Sequence, residues 1–212
     1  MLIEKPPKWF RALFPGAIFR LRSERGTGKR IFLTFDDGPV PEVTPWVLDV
    51  LDRYGVKATF FMVGQNVERH PELLEEVRKR GHGVGNHTLH HMKAPGNKTE
   101  RYMEDVEKGK HLTGSCLFRP PHGWLGPFQL KALKKRGHVV VMYDVVTRDY
   151  SRHLTADDVV NNVKKYVRDG SVVVFHDSLK SWPRLQKALP QSLAWLCGQG
   201  FDFALFESNA TS

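Results

Sequence analysis

The chain has 212 residues, of which 41% are hydrophobic and 26% charged; that composition suits one domain with a buried core and excludes disordered and fibrous architectures. Lys and Arg total 32 against 23 Asp and Glu, +9 with histidines neutral. This favours polyanionic surroundings, but the cations are scattered over helix faces and ends, as in "RKRGH" and "KKRGH", so no nucleic-acid partner is expected.

Residues 1–30 read as a lead-in. They lack the apolar run and small-residue cleavage site of a signal peptide, and no stretch of the chain reaches the roughly 18 apolar residues of a membrane span. Trp9, Phe10, Leu13, Phe14, Ile18 and Phe19 alternate with Lys8, Arg11, Arg20 and Arg22, a mixture able to make weak contact with an anionic membrane surface through residues 8–22. Pro15-Gly16 cuts this helix short, so packing against the domain is the favoured reading.

Strand and helix signals then alternate. The first strand is expected at 31–35 (IFLTF), followed by the helix "TPWVLDVLDRYG" with Thr44 as N-cap, Pro45 in the first turn and Gly55 as its stop. A strand at 58–63 leads to "PELLEEVRKRG", whose acids come first and bases last. Next come a strand at 83–86, a helix over about 98–113, a strand at 116–119 and the helix "GPFQLKALKKRG". One strand over 139–145 precedes "TADDVVNNVKKYVRDG", where Thr155 and Asp158 have capping-box spacing. A strand at 172–175, a helix from Trp182 kinked at Pro190, and a strand at 201–206 complete the series. Seven strands with helical crossovers predict one α/β domain with a parallel sheet. A barrel is preferred over an open sheet, because polar clusters follow so many different strands. Cys116 and Cys197 suggest neither a disulfide framework nor a Cys-based metal site and are expected as buried thiols. His82, His111, His138 and His153 read as surface residues.

The polar clusters carry the chemistry. Asp36-Asp37 follow the first strand, "HTLHH" (His87–His91) the third and "RPPHG" (Arg119–Gly123) the fourth. "TRDY" (Thr147–Tyr150) follows the fifth and "HDS" (His176–Ser178) the sixth. In parallel α/β folds these strand ends share one rim. His87 and His91 are four apart and can reach one ion, with His90 a competitor; Asp36 or Asp37 would complete a three-ligand site with an open position, the pattern of a catalytic rather than a structural zinc. Adjacent aspartates are then tolerable. One is neutralised by the cation, and the other stays ionised as a general base for a water that the ion acidifies.

"TFDDGP", "HTLHH", "RPPHG", "TRDY" and "VFH", in this order over about 31–206, resemble the five motifs of the polysaccharide deacetylases, carbohydrate esterase family four, with the NodB homology domain. The resemblance implies a distorted (β/α)7 barrel over 31–206, with a 207–212 tail, that removes acetyl groups from N-acetylated sugars of the chitooligosaccharide or peptidoglycan type. It implies a divalent metal, zinc before cobalt or nickel, on Asp37, His87 and His91. Asp36 would be the base, positioned by Arg119, and His176 the acid, paired with Asp149. The backbone at His122 would donate to the oxyanion. Tyr150 is a further substrate-contact candidate, and Trp124 is another, with packing an equal reading for it. The family usually has Tyr or Phe at the position of His122, Trp at Tyr150 and often Asp at Val146, which bears on substrate choice and leaves Asp144 without a role. Asn86 is expected to support the histidine loop. An O-acetyl xylan esterase and a catalytically silent carbohydrate-binding module are the alternatives, and a monomer is favoured.

Overall fold

A computed structural model describes residues 4–24 and 28–206. The 207–212 tail lies outside the described residues. In chain order the elements are α1 (Lys8–Ala12), β1 (Lys29–Asp36), α2 (Thr44–Tyr54), β2 (Thr59–Met62), α3 (Gly64–Arg69), α4 (Pro71–Lys79), β3 (Gly83–Asn86) and α5 (Thr99–Thr113). After these come β4 (Leu117–Phe118), α6 (Pro127–Lys135), β5 (Val139–Val140), β6 (Val145–Val146), α7 (Ala156–Tyr166), β7 (Val172–His176), α8 (Trp182–Gly198) and β8 (Phe201–Phe203). All strand pairs are parallel, in the order β5-β4-β3-β2-β1-β7-β6, and β8 pairs with the start of β1. The sheet curls into the expected distorted barrel. Between its outer strands the lead-in acts as a seam: Ile18 bridges Val141, and the Leu21 amide donates to the Gly170 carbonyl.

The two-residue period of a strand explains how β1 serves two environments. Ile31, Leu33 and Phe35 point to the helix layer and join the main core with Val47, Leu51, Leu189 and Leu193. Phe32 packs in the barrel interior with Phe61, Val172 and Phe206, and Thr34 and Asp36 continue that inner row. Strand β7 repeats the pattern, with Val173 and Phe175 in the helix-side core. Asp36 and His176 are register partners, so two interior rows end side by side on the rim.

Several expectations are corrected. The 139–145 strand is two short ones, because the backbone between β5 and β6 pairs with the lead-in: Met142 N donates to Ile18 O. Helix α3 has no counterpart among the predicted elements. Thr44 is the first residue of α2 rather than its N-cap, and its hydroxyl is engaged by Asp177 and the Val40 amide. Thr155 does cap α7 through the predicted box with Asp158. His82 and His138 are buried: the first accepts from the Ala58 amide, and the second pairs with Glu107. Both cysteines are exposed rather than buried. In the lead-in, Phe10, Phe14 and Phe19 pack into the domain with Leu130 and Met142, while Trp9 and Leu13 face solvent. No described helix is long and apolar enough to cross a membrane.

Candidate active site

The five strand-end clusters line one cleft. Its walls include Asp36, Asp37, His87, His91, Arg119, His122, Tyr150 and His176, together with Tyr143, Val146, Val174 and Lys180.

Asp37, His87 and His91 bring one oxygen and two nitrogens within 4.8 Å of one another. Asp37 Oδ1 lies 3.2 Å from His91 Nε2 and 3.7 Å from His87 Nε2. The donor chemistry fits a cation. His87 Nδ1 is 2.8 Å from the Arg119 carbonyl, so Nδ1 carries the proton and the lone pair of Nε2 faces Asp37. Burial pushes His87 down to about 4, so the ring is neutral and free to ligate at physiological pH. Burial alone would raise Asp37, but the His91 hydrogen bond and the fields of His176 and His87 carry it well below the carboxylate range. His90 is removed from this set: its amide and Nδ1 bind Asp105, the ring at 2.5 Å. Asn86 supports the loop as expected, accepting from the Thr88 amide and donating to the Val106 carbonyl.

Asp36 is held apart from the cluster. Arg119 Nη1 donates to Asp36 Oδ1 at 2.6 Å and to Thr34 Oγ1 at 2.7 Å, Nε and Nη2 donate to the Val141 and Met142 carbonyls, and the guanidinium lies 4.1 Å from the Phe61 ring centroid. With every edge occupied and the side chain 3% exposed, Arg119 has one orientation.

On the neighbouring strand β7, His176 donates from its amide and from Nδ1 to Asp149, both at 2.8 Å. Burial pulls the imidazole down, but Asp149 outweighs it and pushes His176 up to about 9. Tyr150 packs edge-on against the imidazole, centroids 4.9 Å apart, and burial raises its phenol to about 12. His122 adopts φ 60° and sets its ring 4.9 Å from that of His91. Trp124, for which sugar contact and packing are equal readings of the sequence, packs on Phe10 and Phe14 and is not among the cleft-lining residues.

Asp177 is a contributor that sequence reasoning left without a role. It accepts from the Gly38 amide at 3.2 Å and from the Thr44 hydroxyl at 2.6 Å, which locks the turn carrying Asp37. Burial raises it to about 8. A Cβ at Gly38 would sit 2.0 Å from Asp177 Oδ2, so the glycine of "DDGP" is required by contact. Lys180 also escaped notice; its ammonium lies 5.3 Å from the Tyr150 ring centroid. Both depend on long-range packing that no local pattern encodes.

Residues 23–141 match the family model described as polysaccharide deacetylase. The chain is 37% identical over 182 residues to a peptidoglycan-N-acetylglucosamine deacetylase of Bacillus cereus, covering 82% of this chain and 85% of the relative. It is 35% identical over 170 residues to a chitooligosaccharide deacetylase of a Bradyrhizobium species, covering 76% and 77%. Among solved structures, a peptidoglycan N-acetylglucosamine deacetylase in complex with a 4-naphthalen-1-yl-N-oxidanyl-benzamide superposes with a TM-score of 0.81 at 31% identity, covering 92% of each chain.

Proposed function

The chain belongs to the polysaccharide deacetylase family, and from that membership we propose that it hydrolyses N-acetyl groups of N-acetylglucosamine-containing glycans of the peptidoglycan or chitooligosaccharide type. The observation that carries this reading is the convergence of one His-His-Asp set with two separately anchored proton-transfer groups on a single cleft. A binding module needs neither a fixed base nor a fixed acid.

The catalytic domain spans 31–206 in this reading. Asp37, His87 and His91 would hold a divalent cation, zinc before cobalt or nickel, which would supply Lewis acidity toward a water and the acetyl carbonyl. Asp36, oriented by Arg119, accepts the proton of the attacking water. As the acetyl carbon becomes tetrahedral, negative charge grows on its oxygen beside the backbone at His122. His176, protonated because Asp149 stands behind it, gives its proton to the amide nitrogen. The C–N bond breaks, and acetate and a free amine leave. Tyr143, Val146, Tyr150 and Val174 form the wall suited to an acetyl methyl group.

The test is acetate release by the zinc-supplied protein from chitopentaose and from peptidoglycan, with acetylated xylan as the competing ester. Turnover of the first two supports the reading. Turnover of xylan alone makes the protein an O-acetyl esterase, and release from none of the three overturns the proposal.

A further inference from the structure

Asp144 is the buried acid that the cleft does not use, and it leads to a second site. Its carboxylate is bonded by Arg11, by Arg168 Nε and Nη2 at 3.0 and 2.9 Å, and by Ser171 Oγ at 2.7 Å. Both arginines open onto a concavity of about 590 Å³ whose charged lining is Lys5, Lys8, Arg11, Arg20, Arg22 and Arg168, beside Pro6 and Pro7. Asp144 is one anion beneath six cations. The neighbouring Asp169 spends its carboxylate on the Ser23 amide and hydroxyl and the Arg30 amide, while its carbonyl fixes Arg20 Nε at 2.6 Å. Among the described residues, Lys5, Lys8, Arg20 and Arg22 make no ion pair with a carboxylate. Burial, then the like charges of Arg168 and Arg22, hold Arg20 below its ordinary value, in keeping with positive charge left in excess.

Like charges gathered in a concavity repel one another, and a bound anion relieves that repulsion. Guanidinium forks suit the paired oxygens of a phosphate, and the hollow suits a compact group rather than an extended duplex. We propose that this cavity, formed where the lead-in meets the loop before β7, binds a phosphate group. The site is separate from the deacetylation cleft and does not depend on that activity. Two sources share the chemistry: free phosphate, and the headgroup of an anionic lipid. Trp9, 62% exposed on the helix that carries Lys8 and Arg11, and Leu13, 50% exposed at its C-cap, suit the lipid source, because apolar side chains beside cations favour an interface.

The experiment uses the full chain, the double variant Arg20→Gln/Arg22→Gln, and the charge-retaining Arg20→Lys/Arg22→Lys. Inorganic phosphate is titrated calorimetrically at low ionic strength, and each protein is sedimented with vesicles of phosphatidylglycerol or of phosphatidylcholine. Saturable binding of either anionic probe, weakened at least tenfold in the Gln variant and largely kept in the Lys variant, supports the site. Vesicle retention that requires phosphatidylglycerol identifies a lipid headgroup, and a phosphate response alone identifies a soluble ligand. Equal binding by wild type and the Gln variant, or no binding by wild type, overturns the proposal. Thermal melts and acetate release are expected to match across the three proteins, which separates loss of this site from misfolding.

Discussion

At the end of β1 a carboxylate, Asp36, faces inward and a buried guanidinium fixes it; at the end of β7 an imidazole, His176, faces inward and a buried carboxylate fixes it. Asp36 and His176 are register partners on β1 and β7, and the two pairs have opposite polarity. The cation beside the acid fixes its orientation, and the anion behind the imidazole favours its protonated form. The difference teaches that each reactive group is held by an opposite charge buried beside it, so both are positioned before substrate arrives. The cation-ligand cluster uses neither of them.

Removing either inward-facing group should break this symmetry with the largest effects. Asp36→Asn is expected to lower kcat by about 10²–10⁴-fold with the fold intact, as loss of a general base does; steady-state acetate release beside a thermal melt measures both. His176→Ala should cost a similar or somewhat smaller factor, and less on an acetyl ester with a better leaving group, because protonation of the departing group then matters less.

Exchanging the buried partners sharpens the comparison. Arg119→Met leaves Asp36 buried without its cation, a loss of about 3–5 kcal/mol in stability, read from chemical denaturation. Asp149→Asn should act mainly on pH dependence. His176 donates a proton, so it works while protonated, and kcat should fall as pH rises through about 9 in the wild type. Without Asp149 the largest upward pull is gone, those of Asp37 and Asp36 remain and burial still pulls down, so the fall should move to lower pH. An unshifted alkaline limb would show that Asp149 does not set this proton. The smallest effect is expected for Lys180→Ala at the cleft edge: a rise of a few-fold in KM for oligosaccharide, with kcat unchanged.

Much of this site was legible because strand ends in a parallel sheet convert sequence order into spatial proximity. Asp36, His87, Arg119 and His176 stand at strand ends and meet at one rim, with Asp149 behind His176. What the chain did not disclose was the product of distant packing. Asp177 and Gly38 are far apart in sequence, and only contact explains why a glycine stands between Asp37 and Pro39. The valine-rich 139–145 run reads as one strand, and its division follows from pairing with Ile18. His82 and His138 read as surface residues because each stands beside a glycine at a helix end, and both turn inward to a hydrogen-bonding group. Trp124 follows a motif in sequence but is drawn to Phe10 and Phe14 of the lead-in.

The division of labour between the neighbouring aspartates is tested most directly by zinc titration of the chelator-stripped protein and its Asp36→Asn and Asp37→Asn variants. Zinc affinity in Asp36→Asn should stay within a few-fold of wild type, and in Asp37→Asn it should fall at least a hundredfold. Equal losses in the two variants, or a loss only in Asp36→Asn, would contradict the assignment of one carboxylate to the cation and the other to the proton.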